Sequence, residues 1–461
     1  MLDRLLVIGG RVLDPGSGFD AKADVFLEEG RVSRVGEIMP SSIPHDYMWI
    51  DATGMIVSPG LIDLHCHLRD PGFEEKETIG TGTEAAACGG FATVCCMANT
   101  NPPIDSPETV SYVHEKARRE ATVRVLPVGC ITVGQNGRKL TDMEGLARAG
   151  VVGFSDDGRP VTDAQVMRKA MESAGCLDLP IVEHCEDASI SRGGVMNDGI
   201  LAGRLRLKGI PVAAEEMAVA RNIDLCRITA ARLHIAHVST AEAVALVRQA
   251  RRENLPVTAE VTPHHLTLTE ERVAGYDTSA KVNPPLRTLA DIEALLEGIS
   301  DGAIEVIATD HAPHMAADKA TDFNSAAFGI SGLETALAVL LTAVVGRISL
   351  PILIERLTAG PARVLRARKH RRVSPPNLIP EGLGTLLPGA PGDLCVFDPG
   401  FEWVVDPSRF VSKGKHSPWT GTHLKGKTML TVVGGRIAYR HEGINFHAVR
   451  GSGKSDAGES R

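Results

Sequence analysis

Two histidines one residue apart, followed closely by an arginine, stand in the stretch Leu61-Ile62-Asp63-Leu64-His65-Cys66-His67-Leu68-Arg69-Asp70-Pro71-Gly72. On a strand, side chains alternate, so His65 and His67 project to one side while Cys66 points away. Two imidazoles placed this way can chelate one divalent metal, and Arg69 offers a fixed positive fork for a carboxylate. Other strand-length apolar runs also end in polar groups. One ends in Met97-Ala98-Asn99-Thr100, another in Phe154-Ser155-Asp156-Asp157-Gly158. Three more end in Glu183-His184-Cys185-Glu186-Asp187, in Ile235-Ala236-His237-Val238-Ser239 and in Thr309-Asp310-His311-Ala312-Pro313-His314.

This donor set suits zinc, which accepts neutral imidazoles and carboxylates and keeps a position open for water. His65 and His67 fit a first cation, and His184 and His237 a second. A carboxylate from the Asp156-Asp157-Gly158 turn bridges them, and spacing does not choose between the two aspartates. Asp310 completes the first site and reaches the water. Paired cations bring the pKa of water near neutrality. Asp310 can then take a proton and pass it to a leaving nitrogen. The implied chemistry is metal-assisted hydrolysis, or its reverse, of an amide-like bond. Each histidine alone has a plainer reading, as a hydrogen-bonded core residue. By alternation Leu233, Ile235 and His237 share a face, which leaves His234 as a structural residue beneath the helices. His264 and His265 read as structural, and His311 as a support for the site.

The elements that must position these groups follow from hydrophobic patterning. Candidate strands are Leu61–His67, Phe91–Met97, Val123–Gly129, Val151–Ser155, Pro180–His184, Leu233–Val238, Val257–Val261 and Ile304–Thr309. Between them lie helical segments such as Thr78–Cys88, Glu108–Arg119, Asp163–Ala174, Ala213–Cys226, Ala241–Arg251 and Leu289–Gly298. Eight strand–helix alternations predict an α/β fold, a (β/α)8 barrel of the TIM type, whose chemistry sits at the C-terminal strand ends. Residues 1–55 and 384–445 are short β-like runs that pair as one small β-domain flanking the barrel at 56–365. A basic, proline-containing linker is expected at 366–383 and a disordered tail at 446–461.

Composition sets limits on this reading. The 461 residues hold 49 basic and 57 acidic side chains, a net charge of −8, which is no electrostatic footprint for nucleic acid. Nine cysteines without a C-x-x-C pair predict buried thiols in a reducing cytosol. The N-terminus has an early acid and too short an apolar run for a signal peptide, and nothing approaches a membrane span. A cytoplasmic enzyme is expected.

The motifs resemble those of the amidohydrolase superfamily and, within it, the dihydroorotases of the class I bacterial type. The resemblance runs from about residue 4 to 440. Besides the strand ends above, it rests on Lys281-Val282-Asn283-Pro284-Pro285-Leu286-Arg287. It implies zinc, one or two ions per subunit, held by His65, His67, Asp157, His184, His237 and Asp310. Asp157 takes the bridging role that a carboxylated lysine has in many relatives. It also implies that Arg69, Asn99 and His314 grip a substrate carboxylate, while Asn283 and the Phe328-Gly329 backbone hold a pyrimidine ring; His67 is counted among the substrate-binding residues as well. The implied reaction is reversible cyclisation of N-carbamoyl-L-aspartate to dihydroorotate, with Asp310 catalytic. The implied assembly is a homo-oligomer or a complex with aspartate transcarbamoylase. Ala98 and Ala327 stand where the family commonly has proline, and the small, polar stretch between His314 and Phe328 has the composition of a lid. Two rival readings remain: another cyclic-amide hydrolase (hydantoinase, dihydropyrimidinase or allantoinase), or a silent scaffold subunit, which would be expected to have lost metal ligands.

Overall fold

Both ends of the chain contribute to one mixed sheet. The computed structural model describes residues 4–366 and 378–449; most of the expected basic linker, and the tail from 450, lie outside the described residues. The sheet runs in the order Arg436–Arg440, His423–Val433, Leu394–Val404, Ile56–Pro59, Arg4–Asp14, Phe19–Glu28 and Arg31–Gly36. Leu394–Val404 is antiparallel to Ile56–Pro59 with Val396 opposite Val57, so the two chain ends share a ladder. Val7, Val12, Val25, Val57, Val396 and Leu430 pack on one face of it as a separate apolar cluster. Asp14 adds a polar pin, its Oδ2 accepting from Thr385 Oγ1 at 2.7 Å and Leu386 N at 2.8 Å.

The expected disordered tail begins as structure instead. His447–Val449 pairs antiparallel with Tyr47–Asp51, and the His447 ring stacks on Trp49 at 4.2 Å. The free edge of Tyr47–Asp51 offers unpaired backbone groups that three residues suffice to cap.

The middle region supplies the parallel strands β1 (Leu61–Cys66), β2 (Phe91–Cys96), β3 (Arg124–Pro127), β4 (Ile181–Glu183), β5 (Leu233–Ile235), β6 (Val257–Val261) and β7 (Val306–Ile307). They pair in two runs, β1-β2-β3 and β4-β5-β6-β7. Single parallel bridges join the runs on both sides: Phe154 bridges Gly129 and Ile181, and His311 bridges Cys66. The expected strand Val151–Ser155 is thus reduced to one bridging residue. Its backbone still bonds both neighbours, Phe154 N donating to Pro180 O and Ser155 N to Gly129 O. Beyond Ser155 the chain turns to send two aspartates to different partners, which ends the ladder.

Helices α1 (Ile79–Cys88), α2 (Pro107–Glu120), α3 (Met143–Ala149), α4 (Ala164–Leu177), α5 (Ala213–Thr229), α6 (Ala241–Arg252) and α7 (Leu289–Asp301) alternate with the strands. Their starts are chemically marked. Thr78 and Thr288 close capping boxes with Thr81 and Asp291, and Ser106 and Thr240 cap α2 and α6. The strands pack on both faces, although β5 and β6 turn His234 and Glu260 inward between their apolar residues. Leu61, Phe91, Val94, Leu233, Ile235 and Val257 pack outward in the large core shared with the helices. Ile62, Leu64, Met97, Leu126, Val182, Ala236 and Val306 pack inward with Ala362, Val364 and Leu365. Fully burying a side chain of this kind contributes ~1.5–3 kcal/mol.

This two-sidedness corrects one expectation. Leu233 and Ile235 face the helices, so His234 lies on the inner side, where its Nε2 meets Glu260 Oε2 at 3.0 Å. Alternation gave the two faces of β5, but all three of its residues are buried, so the apolar character of Leu233 and Ile235 could not say which face was inside. Among the described residues no helix is long and apolar enough to cross a membrane.

Candidate active site

The strands stop short, and the groups that follow them turn back over the strand ends. His237 has φ +33° and Asp310 φ +46°, backbone conformations that side chains other than glycine seldom adopt. In β1 the register shifts between Asp63 and Cys66. That bulge lets His65 join His67 on the inner side although Leu64 also packs inward; Cys66 stays in the outer core, as alternation expects. Asp63 locks the bulge, its Oδ1 accepting from Thr309 N at 2.9 Å and His65 N at 3.2 Å.

The result is one cluster of ring nitrogens and carboxylate oxygens. Asp157 Oδ1 lies 3.4 Å from His65 Nε2 and 3.6 Å from both His184 Nδ1 and His237 Nε2, and its Oδ2 lies 3.6 Å from His67 Nε2. Asp310 Oδ1 lies 3.1 Å from His67 Nε2 and 3.6 Å from His65 Nε2. The two aspartates that spacing left equivalent are separated. Asp156 turns away to accept from Ile131 N at 2.8 Å and Thr132 N at 3.1 Å, and burial pushes its carboxyl up to about 6. Asp157 alone faces the histidines.

These atoms fit divalent cations. His65 Nε2 and Asp157 Oδ1 are fully buried, face each other and have no hydrogen-bond partner. Orphaned buried polar atoms of this kind are costly unless something satisfies them. His65, Asp157 and His237 form one triad able to hold an ion, and His65, His67 and Asp310 another. Burial alone would raise the Asp157 and Asp310 carboxyls. The surrounding imidazoles outweigh it and hold both below the usual carboxylate range.

Three of the rings that face the cluster, those of His65, His67 and His184, are oriented from behind. Glu260, on β6 and fully buried, accepts from His65 Nδ1 at 2.7 Å through one oxygen, and its other oxygen meets His234. Burial would raise this carboxyl, but the two histidines bring it down to about 2, so it stays ionised. Asn99 Oδ1 lies 2.8 Å from His67 Nδ1, and Glu186 Oε2 lies 2.9 Å from His184 Nε2. Such partners fix the ring and its tautomer. Sequence reasoning missed Glu260 and gave Glu186 no role. The available signal for the first was an acid placed mid-strand in the apolar run Val257–Val261.

The remaining expected residues border the same mouth. The Arg69 Nη2 and His314 Nε2 atoms are 3.4 Å apart, and His314 Nε2 donates to Phe328 O at 2.7 Å. Asn283 Nδ2 donates to Glu186 Oε2 at 2.7 Å. Glu186, Asn283, Asn324 and Phe328 share the lining of a cavity of about 430 Å³. His265 is structural, spanning Thr262 Oγ1 and Pro284 O at 2.8 and 3.0 Å. His311 sits behind Asp310 with its Nε2 3.3 Å from Glu77.

A family model described as dihydro-orotase-like matches residues 54–243. An L-hydantoinase (dihydropyrimidinase) from Arthrobacter aurescens superposes with a TM-score of 0.84 at 26% identity, over 95% of this chain and 96% of that one. Fold and site together are those of a metal-dependent amidohydrolase. The dihydroorotase of Caldanaerobacter subterraneus subsp. tengcongensis is 48% identical over 95% of this chain and 97% of its own length. That of Syntrophus aciditrophicus is 45% identical over 95% of this chain and its whole length. The chain belongs to the dihydroorotase family.

Proposed function

We propose that this chain is a zinc-dependent dihydroorotase of the class I bacterial type, a cytoplasmic enzyme of pyrimidine biosynthesis. It interconverts N-carbamoyl-L-aspartate with (S)-dihydroorotate and water. The observation that carries the reading is the meeting of His65, His67, Asp157, His184, His237 and Asp310 at the strand ends, beside Arg69, Asn99 and His314. The architecture we infer is a closed eight-stranded barrel over 56–365, in which the segment around Phe154 counts as the fourth strand. The bridges at Phe154 and His311 support closure. A small β-domain is assigned to 1–55 and 384–445.

His65, His67, Asp157, His184, His237 and Asp310 would hold two zinc ions. When bound, such ions lower the pKa of water and polarise a carbonyl oxygen. The protein's own groups do the rest. Arg69, Asn99 and His314 receive the substrate carboxylate, for which a guanidinium fork is well shaped, and His67 borders the same substrate site. Asn283 and the Phe328-Gly329 backbone hold the ring edge. Asp310 is ionised, so it can accept a proton from the attacking water and deliver it to the ring nitrogen as the amide opens. In the cyclising direction the same carboxylate takes the proton from the carbamoyl nitrogen. A homo-oligomer, or a complex with aspartate transcarbamoylase, is the assembly expected of such an enzyme.

The test is turnover by the purified protein with its metal content measured in parallel. Zinc-loaded protein should hydrolyse dihydroorotate and cyclise N-carbamoyl-L-aspartate, lose both activities to a chelator and regain them with zinc. Turnover of hydantoin or allantoin in place of dihydroorotate would refute the substrate. Fully zinc-loaded protein inert towards all three would make it a scaffold.

A further inference from the structure

Two buried lysines beside the mouth have no part in the chemistry above. Lys281 and Lys319 are each 2% exposed, and their partners are main-chain carbonyls, not carboxylates. Lys281 Nζ donates to Phe323 O at 2.7 Å, Asn324 O at 3.0 Å and Ala326 O at 2.6 Å. Lys319 Nζ donates to Ala327 O at 2.8 Å, Thr278 O at 2.9 Å and Lys281 O at 3.3 Å. An ammonium has three donors, so both heads are saturated. Burying a cation without a counter-ion costs stability, and an apolar side chain of similar volume would fill the space more cheaply. Two such residues braced against each other therefore indicate a task beyond packing.

What they brace is the substrate side of the mouth. Four of the six carbonyls they hold belong to residues 323–327, immediately before Phe328 and Gly329, and the other two, Thr278 O and Lys281 O, tie Lys319 to the segment that carries Lys281. Lys281 Nζ also lies 4.4 Å from the centre of the Phe328 ring, a cation–π distance. The Lys281 carbonyl accepts from Gly329 N at 2.9 Å. Gly329 has φ +126°, and a Cβ there would stand 2.6 Å from Ala312 O, so the backbone at this point has little freedom to adjust. Two residues along from Lys281, Asn283 reaches Glu186, which orients His184. One short segment thus carries Asn283 directly and Phe328-Gly329 through its lysine.

We propose that Lys281 and Lys319 are positioning residues that clamp the 322–329 segment so that Phe328-Gly329 and Asn283 meet the substrate ring together. The segment expected to be a lid is on this account a fixed wall of the mouth. The inference rests on the dihydroorotase reading for its substrate, although the clamp itself can be measured without one. Lys281→Met and Lys319→Met are to be compared with the zinc-loaded wild type in KM, kcat, zinc content and amide-hydrogen exchange over 320–330. Lys281→Met should raise KM for dihydroorotate at least ~10-fold while kcat changes less than ~3-fold and zinc content is unchanged. Exchange at the amides of 326–329 should rise ~10-fold or more. Lys319→Met, at the edge of the brace, should move both quantities in the same direction and serves if the first variant does not fold. Unchanged KM in a folded, zinc-loaded variant would overturn the proposal, as would unaltered exchange. A wild type inert on dihydroorotate would refute the substrate reading alone, because the exchange comparison would still decide the clamp.

Discussion

Replacing Glu260 by glutamine tests whether the residues behind the metal ligands set the affinity of the site. Glu260 and His65 are both wholly buried, with the ring nitrogen Nδ1 2.7 Å from one carboxylate oxygen and His234 on the other. No water can replace a lost partner there. Glutamine keeps the shape but has one acceptor oxygen and no charge, so one of the two imidazoles loses its acceptor and His65 becomes a weaker donor through Nε2. Orienting partners of metal-bound histidines are worth ~10–100-fold in metal affinity. That corresponds to ~1.4–2.8 kcal/mol. Alanine would confuse the result by leaving two ring N–H groups unsatisfied beside a cavity, so the near-isosteric change is the informative one. The assay is a competitive chelator titration of the metal-free protein with zinc, with Glu293→Gln, an exposed partner of Arg347, as control. A zinc affinity for Glu260→Gln within twofold of wild type would refute the argument that the buried carboxylate tunes His65.

Asp310→Asn keeps the shape but cannot take up a proton, so turnover should fall by ~10³-fold or more while circular dichroism stays native; full activity would remove Asp310 from its catalytic role. Arg69→Ala should lower kcat/KM by ~10²-fold or more through loss of the carboxylate fork, and an unchanged kcat/KM would show that the carboxylate binds elsewhere. Burial pushes the Glu183 carboxyl up to about 8 from an ordinary 4.5, so the folded chain holds that proton more tightly than the unfolded one. The unfolding free energy should therefore fall as pH rises from about 4.5 to about 8, by at most ~1.4 kcal/mol per pH unit, and level off above. Glu183→Gln should flatten that slope in thermal melts of metal-free protein; parallel curves for the two proteins would refute the assignment.

Much of this was legible in the residues because the groups that end the strands are chemically conspicuous and widely spaced. His65, His67, His184, His237 and Asp310 could be picked out by type and by the apolar runs before them, and the helices by the patterning of the segments between those runs. What stayed hidden depended on three-dimensional direction. The inward course of His234 was unreadable because β5 is buried on both faces. The choice between Asp156 and Asp157 needed the Ile131–Thr132 backbone, which captures one of them. The acid of Glu260 stands out in its apolar run, but its partners, like those of the lysine brace, come from segments far apart in sequence, so no local pattern announces the contacts. The strand at His447–Val449 exists only because an edge elsewhere awaits it.

The interleaving of the two chain ends has a consequence for biogenesis. Ile56–Pro59 lies between Arg4–Asp14 and Leu394–Val404, so one of its edges has no partner until the C-terminal strands have left the ribosome. During synthesis the middle region can begin to collapse while its first residues wait with an open, apolar ladder, a state prone to association with other nascent chains. A truncation before residue 394 would make that waiting state permanent, so the last strands act as a seal on a molecule whose catalytic side chains have all been synthesised well before them.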